Sequence, residues 1–182
     1  MDPREGLVLY TLGYEDGERV RPILYRASLC EMVVPYADPD PLWSFRNAFD
    51  LGEYGIGRSA NTLVPGNDTP ENAVFFDAPF ANDAGEAWSL PRAVALYERD
   101  GGLLWRHKDA ASRTVESRRA RELVLGFVTT IGNYDYGLDW IFYQDGTLQL
   151  QVVLTGIMLP KGVASTASGP HDRGANQDEM YG

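Results

Sequence analysis

The sequence has few cysteines, few histidines and few basic residues, and each shortage narrows the class of protein. One cysteine in 182 residues means that no disulfide forms within the chain, so an intracellular, reducing environment is allowed. Sixteen basic residues against 26 acidic ones give a net charge of −10. That charge argues against nucleic acid or a membrane surface as partner and favours cationic ligands.

Long apolar runs are also missing. No stretch reaches the roughly 18 apolar residues of a membrane span, and the first five residues lack the basic and then apolar order of a signal peptide. A cytoplasmic location is therefore the default expectation. The hydrophobic content of 44% predicts one globular unit with one sizeable core. Residues 162–182 are rich in small and polar residues, which predicts a mobile tail.

Short strand-like runs separated by turn signals predict an all-β, antiparallel, sandwich-like fold with long loops. Asp-Gly pairs between such runs predict tight hairpins at Asp16-Gly17, Asp100-Gly101 and Asp145-Gly146. Residues 26–34 continue with strand character. Residues 43–49 are interpreted as a short helix or an irregular covering segment, and residues 61–86 as one long loop.

Four arginines form a basic cluster within this acidic chain. A cluster of this kind indicates either a phosphate or nucleic-acid patch, or a strand whose arginines pair with acids. The overall charge favours the second interpretation. The four residues are Arg113, Arg118, Arg119 and Arg121.

Three segments carry residues with a possible chemical role. Residues 129–137 place two tyrosines and an aspartate between two strand-like runs, although tyrosines in strands commonly bury their rings and hydrogen-bond their hydroxyls. Tyr36 ends a strand in a proline-rich loop, where it covers the core rim or serves a site. Asp50 and Glu53 are either plain surface acids of a glycine-rich loop or, for a buried Asp50, a base with a raised pKa.

These segments together resemble one family. They read Met-Val-Val-Pro-Tyr-Ala-Asp-Pro around Tyr36, Phe-Asp-Leu-Gly-Glu-Tyr-Gly around Asp50, and Thr-Thr-Ile-Gly-Asn-Tyr-Asp-Tyr around Tyr134. Their order and separations are similar to those of the copper amine oxidase catalytic domain, clearly from Arg4 to Thr155 and more faintly to Gly182. The resemblance implies that residues 1–182 are the N-terminal part of that catalytic β-sandwich domain, and that the full enzyme is a homodimer.

The resemblance also implies residue roles. Tyr134 corresponds to the tyrosine that becomes the cofactor topaquinone, Asp50 to the general base that takes the substrate's α-proton, and Tyr36 to the hydrogen-bond partner of a quinone oxygen. Asn133 and Tyr136 would shape the cofactor surroundings, and Tyr54 would line the substrate channel.

The implied reaction is oxidative deamination of a primary amine by molecular oxygen, which gives an aldehyde, ammonia and hydrogen peroxide. The family holds copper with a His-x-His pair downstream of the quinone and a third, distant histidine, whereas this chain has only His107 and His171. We therefore expect no metal ligands here, neither copper nor topaquinone in the isolated chain, and no activity from a chain truncated before the copper pair. The alternatives are a non-catalytic β module that binds a partner through exposed edges or its acidic surface, and hydrolysis by Asp50 with Glu53.

Overall fold

The computed structural model describes residues 1–36, 40–41 and 43–159. The predicted tail, 162–182, lies outside the described residues. The chain divides into two compact units by its internal contacts, whereas the composition predicted a single unit. The described part of the first unit comprises 1–36, 40–41, 43–60, 129–136 and 154–159; the second comprises 61–128 and 137–153.

The first unit begins with an antiparallel hairpin, β1 (Leu9–Asp16) and β2 (Arg19–Ala27). Gly17 in its turn has a φ of 62°, which confirms the predicted Asp-Gly hairpin. The expectation that strand structure continues through residues 26–34 was wrong for residues 28–32, which lie between β2 and the next strand. β2 ends at Ala27 because its partner strand begins at Leu9, the residue opposite.

A second pair of strands in this unit leads to a helical turn. β3 (Val33–Pro35) pairs antiparallel with β4 (Asn47–Phe49), so part of the segment expected to be helical or irregular is a strand. β4 runs directly into one turn of π-helix, Asp50–Tyr54, which is called the π-turn below. Residues 43–45 form an ordinary turn before β4.

A five-stranded sheet follows the chain in sequence order. Its strands are β5 (Val74–Ala81), β6 (Ala87–Lys108), β7 (Val115–Ile131), β8 (Tyr134–Tyr143) and β9 (Leu148–Gly156). β7, β8 and β9 contribute residues to both units. The turn at Asp145-Gly146 joins β8 to β9 as predicted, and Gly146 has a φ of 88°.

The long loop predicted over residues 61–86 contains β5, so that expectation was wrong in part. β5 pairs with β6 from Val74 opposite Leu96 to Ala81 opposite Ala87. It lies at the edge of the sheet, where a proline such as Pro79 is tolerated because an edge strand needs fewer backbone donors.

The hairpin predicted at Asp100-Gly101 was also wrong. β6 continues through this point with a shifted register between Asp100 and Trp105, and Gly102 takes a φ of 90°. The Asp100 carboxylate accepts a hydrogen bond from the Gly102 N–H and pairs with Arg119 on β7, which stabilises a bulge instead of a turn. The chain reverses later, where Asp109 N–H donates to the Thr114 carbonyl at 3.0 Å.

Two of the four clustered arginines form ion pairs with acids, which agrees with the interpretation that the overall charge favoured. Arg119 pairs with Asp100 on the neighbouring strand, and Arg118 lies 3.4 Å from the Glu116 carboxylate. No helix within the described ranges is long and apolar enough to cross a membrane.

Thr129 joins the end of β7 to the segment after the π-turn. Its side chain is fully buried, and its hydroxyl donates to the Ile56 carbonyl at 2.8 Å. Thr129 also forms a β-bridge with Ala60, and the Thr130 N–H donates to the Ser59 carbonyl. These bonds hold residues 129–136 beside residues 50–60 within the first unit.

Thr129→Val is expected to lower the free energy of unfolding by about 1–3 kcal/mol, because it leaves the buried Ile56 carbonyl without that donor. Urea denaturation of the purified chain measures this loss. Thr155→Val is the control, since Thr155 is exposed on β9 and the same change there removes no buried hydrogen bond. Equal urea midpoints for Thr129→Val and Thr155→Val would contradict a stabilising role for the hydrogen bond from Thr129 to the Ile56 carbonyl.

Candidate active site

The β7–β8 hairpin sets the position of the two tyrosines. Gly132 and Asn133 form its two-residue turn, and the φ of 61° at Gly132 is the value that a type II′ turn requires at its first central position. Tyr134 is the first residue of β8, and Tyr136 follows it on the same face of the strand. The sequence predicted both tyrosines between strands, but not that Tyr134 directly follows the turn.

β9 approaches the backbone of this hairpin closely. The Ile157 N–H donates to the Asn133 carbonyl at 2.8 Å. Gly156 has a φ of 104°, and a Cβ at this position would lie 2.5 Å from the same carbonyl oxygen. Thr130 donates to the Asp135 carboxylate at 2.5 Å, which ties the two strands together beside the turn. The hairpin tip is therefore held on both sides within the first unit.

All six site residues predicted from the sequence line one cavity of about 200 Å³ in the first unit. The end of β3, the start of the π-turn and the hairpin tip meet around it. The predicted residues that line it are Tyr36, Asp50, Tyr54, Asn133, Tyr134 and Tyr136. Of these six residues, Tyr54 (45% exposed) and Asn133 are exposed to solvent, whereas Asp50 and Tyr136 are buried.

Asp50 is buried in a way that suits a base. It is only 2% exposed, and its Oδ2 atom has no hydrogen-bond partner. Burial raises the pKa of this carboxyl, and a hydrogen bond with the Tyr136 side chain opposes the rise, while the charges of Glu31 and Glu53 add to it. A buried carboxylate with one free oxygen is available to accept a proton from a molecule in the cavity.

Tyr134 carries the second orphaned atom. Its hydroxyl is buried and has no hydrogen-bond partner, although the residue as a whole is half-buried. Within the described ranges, the Tyr134 hydroxyl and Asp50 Oδ2 are the only buried side-chain nitrogen or oxygen atoms without a partner. Buried polar groups are almost always satisfied, so two unpaired atoms on one cavity leave hydrogen-bonding capacity for a molecule that enters it.

The other two tyrosines of the cavity are held in their protonated form. Burial raises the pKa of Tyr136 well above its ordinary value, and the Asp50 charge and hydrogen bond raise it further. Burial raises the pKa of Tyr36, the neighbouring Tyr134 raises it further, and Arg46 opposes the rise. Both hydroxyls therefore remain donors at neutral pH.

Arg46 is a cavity residue that the sequence interpretation missed. Its guanidinium lies 5.0 Å from the centre of the Tyr36 ring and 4.8 Å from the centre of the Trp43 ring. Its carbonyl accepts a hydrogen bond from the Tyr36 N–H at 3.1 Å. It lies in a segment without a regular pattern, so no local sequence signal points to it.

The described residues do not fit a copper site. No group of three or more histidine, cysteine or acidic side chains within those ranges is arranged to hold a metal. His107 is exposed at the end of β6 and faces the Trp105 ring at 6.2 Å, and His171 lies outside the described residues. The orphaned Tyr134 hydroxyl, in contrast, does fit the position of a tyrosine that is to be modified.

Comparison with known proteins identifies the family. The family model "Copper amine oxidase, enzyme domain" matches residues 1–179. The chain belongs to the copper amine oxidase family. This confirms the resemblance read from the three segments, and with it membership of a family of oxidoreductases.

Several primary-amine oxidases are similar to this copper amine oxidase chain. It is 40% identical over 179 residues to the primary amine oxidase of Arthrobacter sp. (strain P1), covering 98% of this chain and 28% of that protein. It is 45% identical over 157 residues to the histamine oxidase of Arthrobacter globiformis, covering 86% of this chain and 23% of that protein. The chain thus spans about a quarter of the length of these relatives. Some relatives, including one from Nicotiana tabacum, are named as peroxisomal, so the cytoplasmic expectation stays a prediction.

Solved structures confirm the fold class. The chain matches the copper-containing benzylamine oxidase of Hansenula polymorpha with a TM-score of 0.74 and 38% identity, over 86% of this chain and 24% of that one. It matches the amine oxidase of Aspergillus nidulans with a TM-score of 0.76 and 30% identity, over 86% and 20%. The predicted all-β, antiparallel fold of a copper amine oxidase domain is correct.

Proposed function

We propose that this chain supplies the general base and the cofactor-forming tyrosine of a primary-amine oxidase. The reaction would convert a primary amine, molecular oxygen and water to an aldehyde, ammonia and hydrogen peroxide. The observation that supports this best is the pair of orphaned buried atoms, Asp50 Oδ2 and the Tyr134 hydroxyl, on one cavity. A quinone made from Tyr134 would supply the electron-accepting carbonyl to which a primary amine adds.

Asp50 would take the proton from the carbon that bears the amine. Its burial raises its pKa, and a carboxylate with a raised pKa binds a proton more strongly than an exposed one. The Tyr136 hydroxyl interacts with the carboxylate, which orients it while Oδ2 remains free. Tyr136 thus sets the direction in which Asp50 faces the substrate.

Tyr36 would donate a hydrogen bond to an oxygen carried on residue 134. Its raised pKa keeps the hydroxyl protonated and able to donate, and Tyr36 and Tyr134 line the same cavity. Arg46, packed against the Tyr36 ring, would hold that ring in place. Asn133 would shape the cofactor surroundings, and Tyr54, at the exposed side, would line the path by which the amine enters.

The ligands that bind copper would come from residues beyond these 182. The family site uses three histidines, and the chain contains two, which stand 64 positions apart at 107 and 171. We therefore propose that the chain works as part of a larger, dimeric enzyme, as the N-terminal part of its catalytic β-sandwich domain. By itself the chain would be inactive, and Tyr134 would stay an ordinary tyrosine.

The isolated chain, incubated with copper(II) in air, is expected to give no quinone stain and no mass change at Tyr134. The extended polypeptide, meaning this chain continued through the family's copper-binding histidines, is expected to give both and to release peroxide with a primary amine. A quinone signal from the isolated chain would contradict the proposed dependence on outside histidines. If the copper-loaded extended polypeptide gives neither quinone nor peroxide, the enzyme proposal fails and the non-catalytic β module remains.

A further inference from the structure

Glu31 reaches from the segment before β3 to the start of the π-turn. Its Oε1 atom accepts hydrogen bonds from the Leu51 N–H at 3.0 Å and the Gly52 N–H at 3.3 Å, and its Oε2 atom accepts from the Gly52 N–H at 3.1 Å. Oε1 also accepts from the Met32 N–H at 3.0 Å. One carboxylate therefore binds three backbone donors from two segments that are twenty residues apart.

The π-turn needs these acceptors because its own backbone leaves donors unpaired. The first N–H groups of any helix have no partner within it. The residue before the turn, Phe49, offers no capping side chain, and the turn closes with one bond from the Gly55 N–H to the Asp50 carbonyl at 3.0 Å. The Asp50 N–H donates to the Met32 carbonyl at 3.0 Å, and Glu31 takes the next two donors.

Gly52 makes room for this contact. A Cβ atom at position 52 would lie 2.8 Å from Glu31 Oε2, closer than real Cβ atoms approach. The backbone of Gly52 has no positive φ, so its conformation alone does not demand glycine. The close approach of the carboxylate does.

We propose that Glu31 is a positioning residue, which fixes the π-turn so that the Asp50 side chain faces the cavity. This inference rests on the proposed role of Asp50 as the base. Glu31 does not line the cavity, so it acts on the reaction only through the backbone that carries Asp50 and through its charge.

The charge of Glu31 acts on Asp50 in a predictable direction. Burial opposes ionisation of Glu31, but bonds from Met32, Leu51 and Gly52, with the nearby Arg4, hold its pKa below the usual value, so it is ionised at neutral pH. Its charge helps raise the pKa of Asp50, after burial and together with Glu53, against the hydrogen bond from Tyr136. Tyr36 and Tyr136 also face Asp50, since its charge helps raise the pKa of each.

Four variants of the 182-residue chain separate the two effects of Glu31. Glu31→Ala removes both the backbone bonds and the charge, and Glu31→Gln removes the charge but keeps an acceptor oxygen. Gly52→Ala keeps the charge and displaces the carboxylate sterically. Glu53→Gln removes the other nearby acidic charge, and no hydrogen bond joins the Glu53 side chain to the backbone donors of the π-turn.

The readouts are amide hydrogen exchange at Leu51 and Gly52 and the NMR titration of the Asp50 carboxyl. Loss of the carboxylate's hydrogen bonds is expected to speed exchange by about tenfold or more in Glu31→Ala and Gly52→Ala. The change should be smaller in Glu31→Gln, which keeps one acceptor oxygen, and little change is expected in Glu53→Gln. The titration midpoint of Asp50 is expected to fall in Glu31→Gln and in Glu53→Gln. Unchanged exchange in both Glu31→Ala and Gly52→Ala, in folded chains, would overturn the proposal.

Activity of the extended polypeptide tests the link to catalysis. Glu31→Ala is expected to lower kcat about tenfold with a smaller effect on KM, because the base is displaced while the cavity remains. Glu31→Gln is expected to retain most of kcat and to shift the acidic limb of the pH profile downward. If Asp50→Asn leaves activity intact while Glu31→Ala still frees the two amides, the proposed base is wrong and the structural role of Glu31 stands. If Glu31→Ala frees the amides and leaves kcat unchanged, its positioning role in catalysis is wrong.

Discussion

Asp50→Asn in the copper-loaded extended polypeptide is expected to lower kcat for a primary amine by about 10²–10⁴-fold, the usual contribution of a general base. Asparagine has nearly the same shape and can still accept a hydrogen bond from Tyr136, but it cannot take up a proton. The measurement is peroxide release, with an amine deuterated at its α-carbon to report on the proton-transfer step. Quinone formation is measured separately, so that loss of the cofactor is not mistaken for loss of the base.

Glu53→Gln is the matched control for Asp50→Asn. Glu53 is in the same π-turn, also carries a carboxylate and is exposed, so its removal changes the local charge without touching the free Oδ2 of Asp50. We expect at most a severalfold change in kcat for this variant. Comparable losses from both substitutions would indicate an electrostatic role for the π-turn acids and would contradict the assignment of Asp50 as the base.

Asp50→Asn also has a pH-dependent effect on the stability of the isolated chain. Burial raises the pKa of Asp50 above its ordinary value in the folded state, so the folded chain holds this proton more tightly than the unfolded chain. The stabilisation from Asp50 is complete below the unfolded pKa and is lost as the pH rises through the folded pKa. Relative to wild type, the asparagine variant should therefore gain stability as the pH increases from about 4. No change in this difference with pH would contradict the raised pKa.

The local sequence predicted which residues lie together at the cavity better than it predicted the arrangement of the strands. Tyr36, Asp50 and Tyr134 come from separate segments, and all three line the same cavity. They could be predicted because each segment carries enough specific residues to be recognised. The Asp-Gly turn at Asp145 was predicted for a related reason, since its turn residues stand between two clearly alternating runs.

Features that depend on contacts between distant segments could not be predicted in the same way. Asp100-Gly101 has the composition of a hairpin, but Arg119 on the neighbouring strand and the Gly102 N–H bind its aspartate, and β6 continues as a bulged strand. β5 was missed because Asp77 and Pro79 interrupt its apolar pattern, which an edge strand tolerates. Glu31 lies twenty residues before the turn it supports, and no local pattern links the two.

Tyr134→Phe is expected to abolish quinone formation and peroxide release in the extended polypeptide, because phenylalanine lacks the phenol oxygen from which the family's cofactor is made. The same change in the isolated chain is expected to leave the free energy of unfolding unchanged or to raise it by up to about 1 kcal/mol, since the hydroxyl it removes is buried and unpaired. Loss of activity without loss of stability is the result expected for a residue whose role is chemical and not structural. Denaturant unfolding, quinone staining and peroxide release measure the three quantities.

Tyr136→Phe is the control for Tyr134→Phe. Tyr136 lies two residues away on the same strand face, but its hydroxyl interacts with the Asp50 carboxylate, so its loss should cost about 1 kcal/mol of stability while the quinone signal at Tyr134 persists. The two variants remove the same atom from neighbouring tyrosines and are expected to move stability and cofactor formation in opposite ways. If Tyr134→Phe destabilises the chain as much as Tyr136→Phe does, the Tyr134 hydroxyl has a structural partner, and the argument from its isolation fails.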